Sequence, residues 1–242
     1  MRRVLYGLQP SNDVRAENVR AEGTEAIRLT VRHPGGAFEA VIPGYGTHLV
    51  SAALAASAVG MELGMTGDEI AAGIADFKTV GDRARIIRAG EITVVSDCYN
   101  ANPTSVRAAL DSLRSARGRR VCILGDMLEL GEDTEKLHRA SGAYAAQTGV
   151  ELVIGCGPLG RLIAEGARDA GGEAMAFDDR DALIEKLPEI LCPGDWVLVK
   201  ASHSMAFEKI VDAVVGKREQ GTGIVAAASK SLPLGEGGSP QG

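Results

Sequence analysis

The chain has 242 residues, of which 45% are apolar and 24% charged, and its formal net charge is -6. This length can bury a substantial core in one large or two modest domains, and the acidic balance argues against nonspecific nucleic-acid binding, which depends on clustered Lys and Arg. No apolar run approaches the ~18 residues of a membrane span, and the start lacks the apolar centre of a secretory signal, so we expect a globular cytoplasmic protein without membrane insertion.

The first part of the chain predicts an antiparallel β-ribbon followed by two helices. Three short β-rich runs are separated by turn residues, and an Ala-rich helix and a second, shorter helix follow. The predicted elements are strands around Val14–Arg20, Ile27–Val31 and Phe38–Ile42, and helices over Ser51–Leu63 and near Asp68–Ala75. Thr66 is the predicted N-cap of the second helix. We do not expect such a ribbon with two helices to form a stable domain alone.

From residue 90 onward, β-rich runs alternate with helical patterns. This alternation is typical of a parallel sheet covered by helices on both faces. The predicted strands are Ile92–Asp97, Arg120–Leu124, Glu151–Gly155, Glu173–Phe177 and Trp196–Lys200. Pro103 suits the first turn of a helix that runs through Leu113. The fold class is therefore α/β, with a Rossmann-like domain of mostly parallel strands.

Composition places the domain boundaries and the tail. We expect one unit over residues 1–79, a Rossmann-like domain over 80–218, and a disordered tail over 219–242, where Gly, Ser, Pro and Ala lack periodicity. The four cysteines never form a close Cys-x-x-Cys pair. We therefore predict neither a metal site nor a disulfide framework.

The run from Val94 to Pro103 is the most informative segment. It puts the carboxylate of Asp97, the phenol of Tyr99 and the amides of Asn100 and Asn102 between a buried strand and a helix. Open parallel sheets build ligand sites at such junctions. A carboxylate can accept hydrogen bonds from ribose hydroxyls, and a ring with amides can bind a purine. The alternative is a turn whose amides only satisfy its own backbone.

Two further groups carry candidate chemistry before and after that run. Arg83 could bind phosphate oxygens bidentately and neutralise charge during phosphoryl transfer, or it could be a surface arginine paired with Asp82. Asp126 and Glu129 follow the next strand, where they could orient an ammonium or a metal-bound water, or cap the following helix. Both assignments stay open on residue chemistry alone.

Lys200, Ser202 and His203 follow the last predicted strand. A cation and a hydroxyl at that position could receive a carboxylate. His48 precedes the Ala-rich helix, and a lone histidine of this kind is more often structural than functional.

Four stretches together resemble the F-type Mur ligases, the UDP-N-acetylmuramoyl-tripeptide:D-alanyl-D-alanine ligases of peptidoglycan synthesis. They occur in the family's order and are Pro43-Gly44-Tyr45-Gly46-Thr47-His48, Gly81-Asp82-Arg83 with Asp97-x-Tyr99-Asn100-Ala101-Asn102-Pro103, Leu124-Gly125-Asp126-Met127-Leu128-Glu129-Leu130-Gly131, and Val199-Lys200-Ala201-Ser202-His203. The sequence departs from the family at Leu49 and Ala52, where Asn is common, and at His203, where Arg is usual.

The resemblance implies an ATP-dependent ligase that joins D-Ala-D-Ala to UDP-MurNAc-tripeptide through an acyl phosphate, with Mg²⁺, as a cytoplasmic monomer. It implies nucleotide contacts for Asp97, Tyr99, Asn100, Asn102 and His48, a catalytic role for Arg83, and substrate contacts for Lys200, Ser202, His203 and Asp126. Residues 1–79 would correspond to the end of the family's central ATPase domain. No Gly-x-x-x-x-Gly-Lys-[Ser/Thr] phosphate loop occurs in the sequence, so we expect this chain to be inactive alone.

Two other functions stay open. The chain could be a noncatalytic module that binds a nucleotide or a dipeptide. It could also be another amide ligase of the Mur superfamily, although such enzymes carry His-x-Pro-like runs where Asn100 to Pro103 stand here. A dehydrogenase is disfavoured because no Gly-x-Gly-x-x-Gly follows the first strand of the Rossmann-like part.

Overall fold

The structure, a computed structural model, describes residues 3–22, 25–46, 49–78 and 84–219, with side chains through residue 216. It contains two sheets. The predicted tail therefore lies outside the described residues apart from its first position, and so does most of the predicted domain boundary.

The first sheet has four strands in the order β1-β2-β3-β4. They are β1 (Tyr6–Gly7), β2 (Val14–Glu22), β3 (Ala26–His33) and β4 (Gly36–Pro43). β2, β3 and β4 pair antiparallel, as predicted, and the unpredicted β1 adds parallel to β2. Ile27, Leu29 and Val31 are buried, because alternate side chains of β3 face one side of the sheet.

Two helices cover that buried face, α1 (Leu49–Glu62) and α2 (Gly67–Ala75). The predicted N-cap is confirmed: the Thr66 hydroxyl accepts the Glu69 N–H, and the Glu69 carboxylate accepts the Thr66 N–H, which is a capping box. Leu54 and Ile70 join the strand side chains in one apolar core.

The second sheet has six strands in the order β5-β6-β10-β7-β8-β9. They are β5 (Arg85–Ala89), β6 (Ile92–Asp97), β7 (Arg120–Gly125), β8 (Leu152–Cys156), β9 (Ala174–Phe177) and β10 (Trp196–Lys200). β5 pairs antiparallel with β6, and the other pairs are parallel. The five predicted strands are confirmed, whereas β5 was not predicted.

Helices cover both faces of this sheet, as predicted. They are α3 (Pro103–Leu113), α4 (Thr134–Gln147), α5 (Gly160–Asp169), α6 (Arg180–Ile190) and α7 (Glu208–Glu219). One core packs α3, α4 and α5 against alternate strand residues such as Val95 and Leu198. The other core packs α6 and α7 against the strand residues that face the opposite side of the sheet, such as Val94 and Val199. The near-continuous apolar strands follow from burial on both faces.

α4 and α5 pack with their backbones in contact. A Cβ built on Gly142 would lie 1.9 Å from the carbonyl O of Ile163, and one on Gly166 would lie 2.0 Å from that of Arg139. Glycine is thus required on both helices for this distance of approach.

None of the four cysteines, all within the described ranges, forms a disulfide. Within those ranges no helix has both the length and the apolar character needed to cross a membrane.

Candidate functional site

The central strands of the second sheet end at a change of chain direction. β10 lies between β6 and β7 although it comes last in sequence. The chain runs across the sheet in one direction from β6 through β7 and β8 to β9, and it returns in the opposite direction from β9 to β10. In open parallel sheets this arrangement opens a crevice beyond the carboxyl ends of the strands. β6 ends at Asp97, β10 at Lys200 and β7 at Gly125. The predicted polar residues therefore follow neighbouring strand ends.

Asp97 and Lys200 form a buried ion pair at this edge. They are partners in the register of β6 and β10, and Nζ of Lys200 lies 2.6 Å from Oδ2 of Asp97. The same Nζ donates to the carbonyl O of Asn100 at 2.7 Å. Oδ1 of Asp97 accepts the N–H of Ala84 at 3.3 Å. The pair thus ties together two strand ends, the loop after β6 and the segment before β5.

The two amides of that loop hold its backbone. Oδ1 of Asn100 accepts the N–H of Ala101 at 2.8 Å. Asn102 is the N-cap of α3: its Oδ1 accepts the Ser105 N–H at 2.8 Å, while the Ser105 Oγ accepts the Asn102 N–H at 3.1 Å. Neither NH₂ group makes a hydrogen bond within the part of the chain that the structure describes, so both can contact a ligand. A self-supported turn and a preorganised ligand wall are therefore compatible here.

A cleft of about 590 Å³ lies over this edge. Its wall includes Asp97, Tyr99, Asn100, Asn102 and Lys200, which were predicted from sequence, together with apolar residues of β6, β10 and α3. The structure thus brings five of the predicted site residues into one concave site. A cavity of this size, mostly apolar with a few polar groups, is suited to a small ligand.

Tyr45 closes the cleft from the first part of the chain. It follows β4 yet packs in the core of the second sheet with Val95, Ala109 and Leu110. Its hydroxyl is buried without a hydrogen-bond partner among the described residues. Burial raises the pKa of Tyr45 to about 12, and the nearby Ser115 hydroxyl lowers this pKa by a smaller amount. Tyr45 was not predicted as a site residue.

Asp126 and Ser202 form a second cluster, in the loops that follow β7 and β10. The Ser202 N–H donates to the Asp126 carbonyl at 3.2 Å, and the Ser202 Oγ accepts the Leu128 N–H at 3.0 Å. Oδ1 of Asp126 accepts the Leu159 N–H at 3.0 Å. Burial raises the pKa of the Asp126 carboxyl, and the hydrogen bond from the Leu159 N–H partly opposes this shift. These side chains are engaged in joining loops.

The same carboxylate bears on the dehydrogenase alternative. Residues 155–160 read Gly-Cys-Gly-Pro-Leu-Gly between β8 and α5, a spacing that elsewhere binds pyrophosphate at a helix N-terminus. Here Asp126 already accepts the Leu159 N–H at that terminus, and a Cβ on Gly157 would lie 2.8 Å from its Oδ1. A carboxylate at this point repels a phosphate, so the spacing serves close packing.

His203 lies beside Tyr99. Their ring centroids are 5.7 Å apart with an interplanar angle of 35°, and Tyr99 is 47% exposed. His203 therefore connects the loop after β10 with the wall of the cleft.

His138 is a buried residue that the sequence reasoning missed. It is 0% exposed, its Nε2 accepts the Met127 N–H at 2.9 Å, and its Nδ1 lies 2.6 Å from the Thr134 carbonyl O. Donation from Nδ1 and acceptance at Nε2 assign the neutral Nδ1–H tautomer. Its spacing with Ser141 and Ala145 on the buried face of α4 was an available signal.

Two predicted residues, His48 and Arg83, lie outside the described residues. Within the described part of the chain, no group of three or more His, Cys, Asp or Glu side chains could hold a metal ion. The polar and aromatic residues that line the cleft offer hydrogen bonding and ring stacking.

Comparison with known proteins connects this geometry to a family. Residues 82–203 match the family model described as Mur ligase, glutamate ligase domain. The UDP-N-acetylmuramoyl-tripeptide--D-alanyl-D-alanine ligases of Bacillus subtilis and Escherichia coli are 32% and 35% identical to the chain over 215 and 217 residues. These matches cover 87% and 88% of this chain and 46% of each relative. The chain thus spans about half the length of the curated relatives it matches.

Solved structures agree with this likeness. MurF from Acinetobacter baumannii superposes with a TM-score of 0.79 and 25% identity, covering 88% of this chain and 46% of that one. MurF from Thermotoga maritima in complex with ADP gives a TM-score of 0.73 at 22% identity, covering 89% and 49%.

Proposed function

The chain belongs to the Mur ligase family, and from that premise we propose that its cleft is one wall of the nucleotide site of an ATP-dependent amide-bond ligase in peptidoglycan precursor synthesis. The observation that carries the proposal is the cleft itself, which lies beyond the carboxyl ends of β6 and β10 and is lined by Asp97, Tyr99, Asn100 and Asn102. A carboxylate, an exposed ring and two amides suit a ribose and a base.

We propose for this ligase the reaction that the family resemblance implies. The γ-phosphoryl group of ATP passes to the carboxylate of UDP-MurNAc-tripeptide, the amine of D-Ala-D-Ala attacks the acyl phosphate, and an amide, ADP and phosphate result. Such chemistry depends on positioning and charge neutralisation. In this proposal the described residues position the nucleotide, Arg83 stabilises charge, and His48 approaches ATP.

The proposal for the dipeptide rests on the edge next to the cleft. Ser202, His203 and Asp126 follow β10 and β7 there, and His203 is exposed. We keep these three residues as the proposed dipeptide side. Lys200 was grouped with them from the sequence, but its ammonium is buried against Asp97 and the Asn100 carbonyl. We also propose residues 1–79 as the end of a central ATPase domain, 80–218 as the C-terminal ligase domain and 219–242 as a tail, in a cytoplasmic monomer. The separate cores of the two sheets support the first division.

The nucleotide assignment is tested by titrating ADP into the 242-residue chain and a Tyr99→Ala variant. Stacking of a base on an aromatic ring contributes about 1–3 kcal/mol, so Y99A should bind ADP at least about fivefold more weakly. Tyr6→Ala is a matched control, because Tyr6 is also 47% exposed but lies on β1. Equal ADP affinity of Y99A and Y6A, or no binding by the unaltered chain, contradicts the assignment. Titrating D-Ala-D-Ala in parallel tests the dipeptide-binding alternative.

The catalytic part is tested by phosphate release. Since the sequence contains no phosphate loop, the pure chain should release no phosphate from ATP in the presence of UDP-MurNAc-tripeptide and D-Ala-D-Ala. Release that depends on D-Ala-D-Ala would show that the phosphate cradle is supplied by other residues of this chain.

A further inference from the structure

Lys200 is the buried cation of the cleft, and its partners indicate a role other than dipeptide binding. We propose that Lys200 is a positioning residue, which fixes Asp97 as the bidentate acceptor of a ribose diol and so makes the cleft selective for ribonucleotides. This inference rests on the proposed nucleotide site.

Lys200 and Asp97 differ in the solvent exposure of their side chains, and this difference separates their roles. The Lys200 side chain is 2% exposed, whereas that of Asp97 is 17% exposed. The Lys200 ammonium already donates to Oδ2 of Asp97 and to the carbonyl O of Asn100. A dipeptide carboxylate would have to displace one of these acceptors inside the protein, where an uncompensated charge is costly. A ligand in the cleft therefore reaches Asp97, and Lys200 acts through it.

The acceptor capacity of Asp97 identifies the ligand group. A carboxylate offers about four lone-pair sites on its two oxygens. Within the described residues, Lys200 takes one on Oδ2 and the Ala84 N–H takes one on Oδ1, so a site on each oxygen remains for a ligand. Two adjacent acceptors match two adjacent hydroxyl donors, as on the 2′ and 3′ carbons of ribose. The two protein donors prevent rotation of the carboxylate away from that orientation.

Lys200 also fixes the loop that carries the rest of the wall. Its bond to the Asn100 carbonyl holds the peptide between the strand end and the N-cap of α3. Loss of the ammonium would release this peptide and leave Asp97 without a counter-charge. The effect on the 2′-hydroxyl contact should then exceed any general loosening of the cleft.

The experiment compares ADP with 2′-deoxy-ADP by calorimetry on the 242-residue chain. A hydrogen bond to a charged group is strong enough for the unaltered chain to prefer ADP by about tenfold. K200M should lose most of this ratio by weakening ADP binding, with a much smaller change for 2′-deoxy-ADP. D97N should also lose the ratio, and the K200M/D97N double variant should bind ADP no more weakly than D97N alone, because the two residues act as a unit.

Lys186→Met is the matched control, because Lys186 pairs with Glu189 on the surface of α6. It should keep the ratio. A purely structural role for Lys200 would weaken both nucleotides equally, so a preserved ratio in K200M overturns the inference and leaves the nucleotide site intact. Equal affinities in the unaltered chain overturn it too, whereas absence of all binding overturns the proposed function. If K200M does not fold by circular dichroism, K200Q decides, and an unaltered ratio in K200Q counts against the inference.

Discussion

Replacement of His138 tests whether this buried histidine holds the loop that follows β7. The ring lies wholly inside the protein, between the Met127 N–H and the Thr134 carbonyl. Met127 is itself 1% exposed, so water cannot replace the ring nitrogen. His138→Ala therefore removes the acceptor of a buried backbone donor.

The expected cost is large for a single substitution. An unsatisfied buried N–H costs about 1–3 kcal/mol, and the loss of the buried ring adds roughly 1–2 kcal/mol. We therefore expect H138A to lower the free energy of unfolding by about 2–5 kcal/mol, against a typical total of about 5–15 kcal/mol.

Two amide variants separate the acceptor from the ring. The Gln amide reaches the position of Nε2 and can accept the Met127 N–H, whereas the Asn amide reaches only the position of Nδ1. Urea unfolding should then show H138Q at least about 1 kcal/mol more stable than H138N, the worth of a hydrogen bond. His33→Ala, on a half-buried residue of β3, should cost less than about 1 kcal/mol. Equal stabilities of H138Q and H138N, or an H138A cost like that of H33A, would refute the reasoning.

Two further substitutions test packing and buried charge. Gly142→Ala should lower the free energy of unfolding by about 2 kcal/mol or more, because its Cβ would overlap the Ile163 carbonyl. Gly73 has open space around it, so Gly73→Ala should raise the free energy of unfolding by up to about 1 kcal/mol. Similar changes for the two variants in urea unfolding would contradict the close packing of α4 and α5. For Asp126, burial raises the pKa in the folded chain, so the stability linked to its proton is complete below the unfolded pKa and is lost as the pH rises through the folded one. Asp126→Asn keeps an acceptor for the Leu159 N–H, so the unfolding free energy of the unaltered chain should fall relative to D126N as the pH rises above the unfolded pKa of about 4, and a constant difference would contradict the prediction.

Four strands of the second sheet, β6, β7, β8 and β10, were predictable because they are buried on both faces. The run from Leu152 to Cys156, for example, is free of polar side chains and buried at every position. β5 escaped prediction because it is a half-exposed edge strand whose sequence, Arg-Ile-Ile-Arg-Ala, contains no long apolar run. Its pairing with β6 is a tertiary contact, and short edge strands carry little of the burial signal.

The chemistry of the site was only partly predictable. Asp97, Tyr99, Asn100 and Asn102 share one short run, so their proximity follows from the sequence. The partnership of Lys200 with Asp97 spans 103 positions and depends on β10 being inserted beside β6. Sequence reasoning placed Lys200 after the correct strand, yet the strand order decides which residue its ammonium meets.

The charge balance of the cleft indicates which part of a nucleotide the proposed site would bind strongly. Among the described residues that line it, Asp97 and Lys200 are the charged ones, and their ion pair cancels. A cancelled pair offers little attraction to phosphate groups, whereas the carboxylate, the ring and the amides suit a nucleoside. Neutralisation of the phosphates must then come from cations beyond these lining residues. Arg83 directly precedes Ala84, which lines the cleft and donates to Asp97, so it is the cation we expect at the phosphate end.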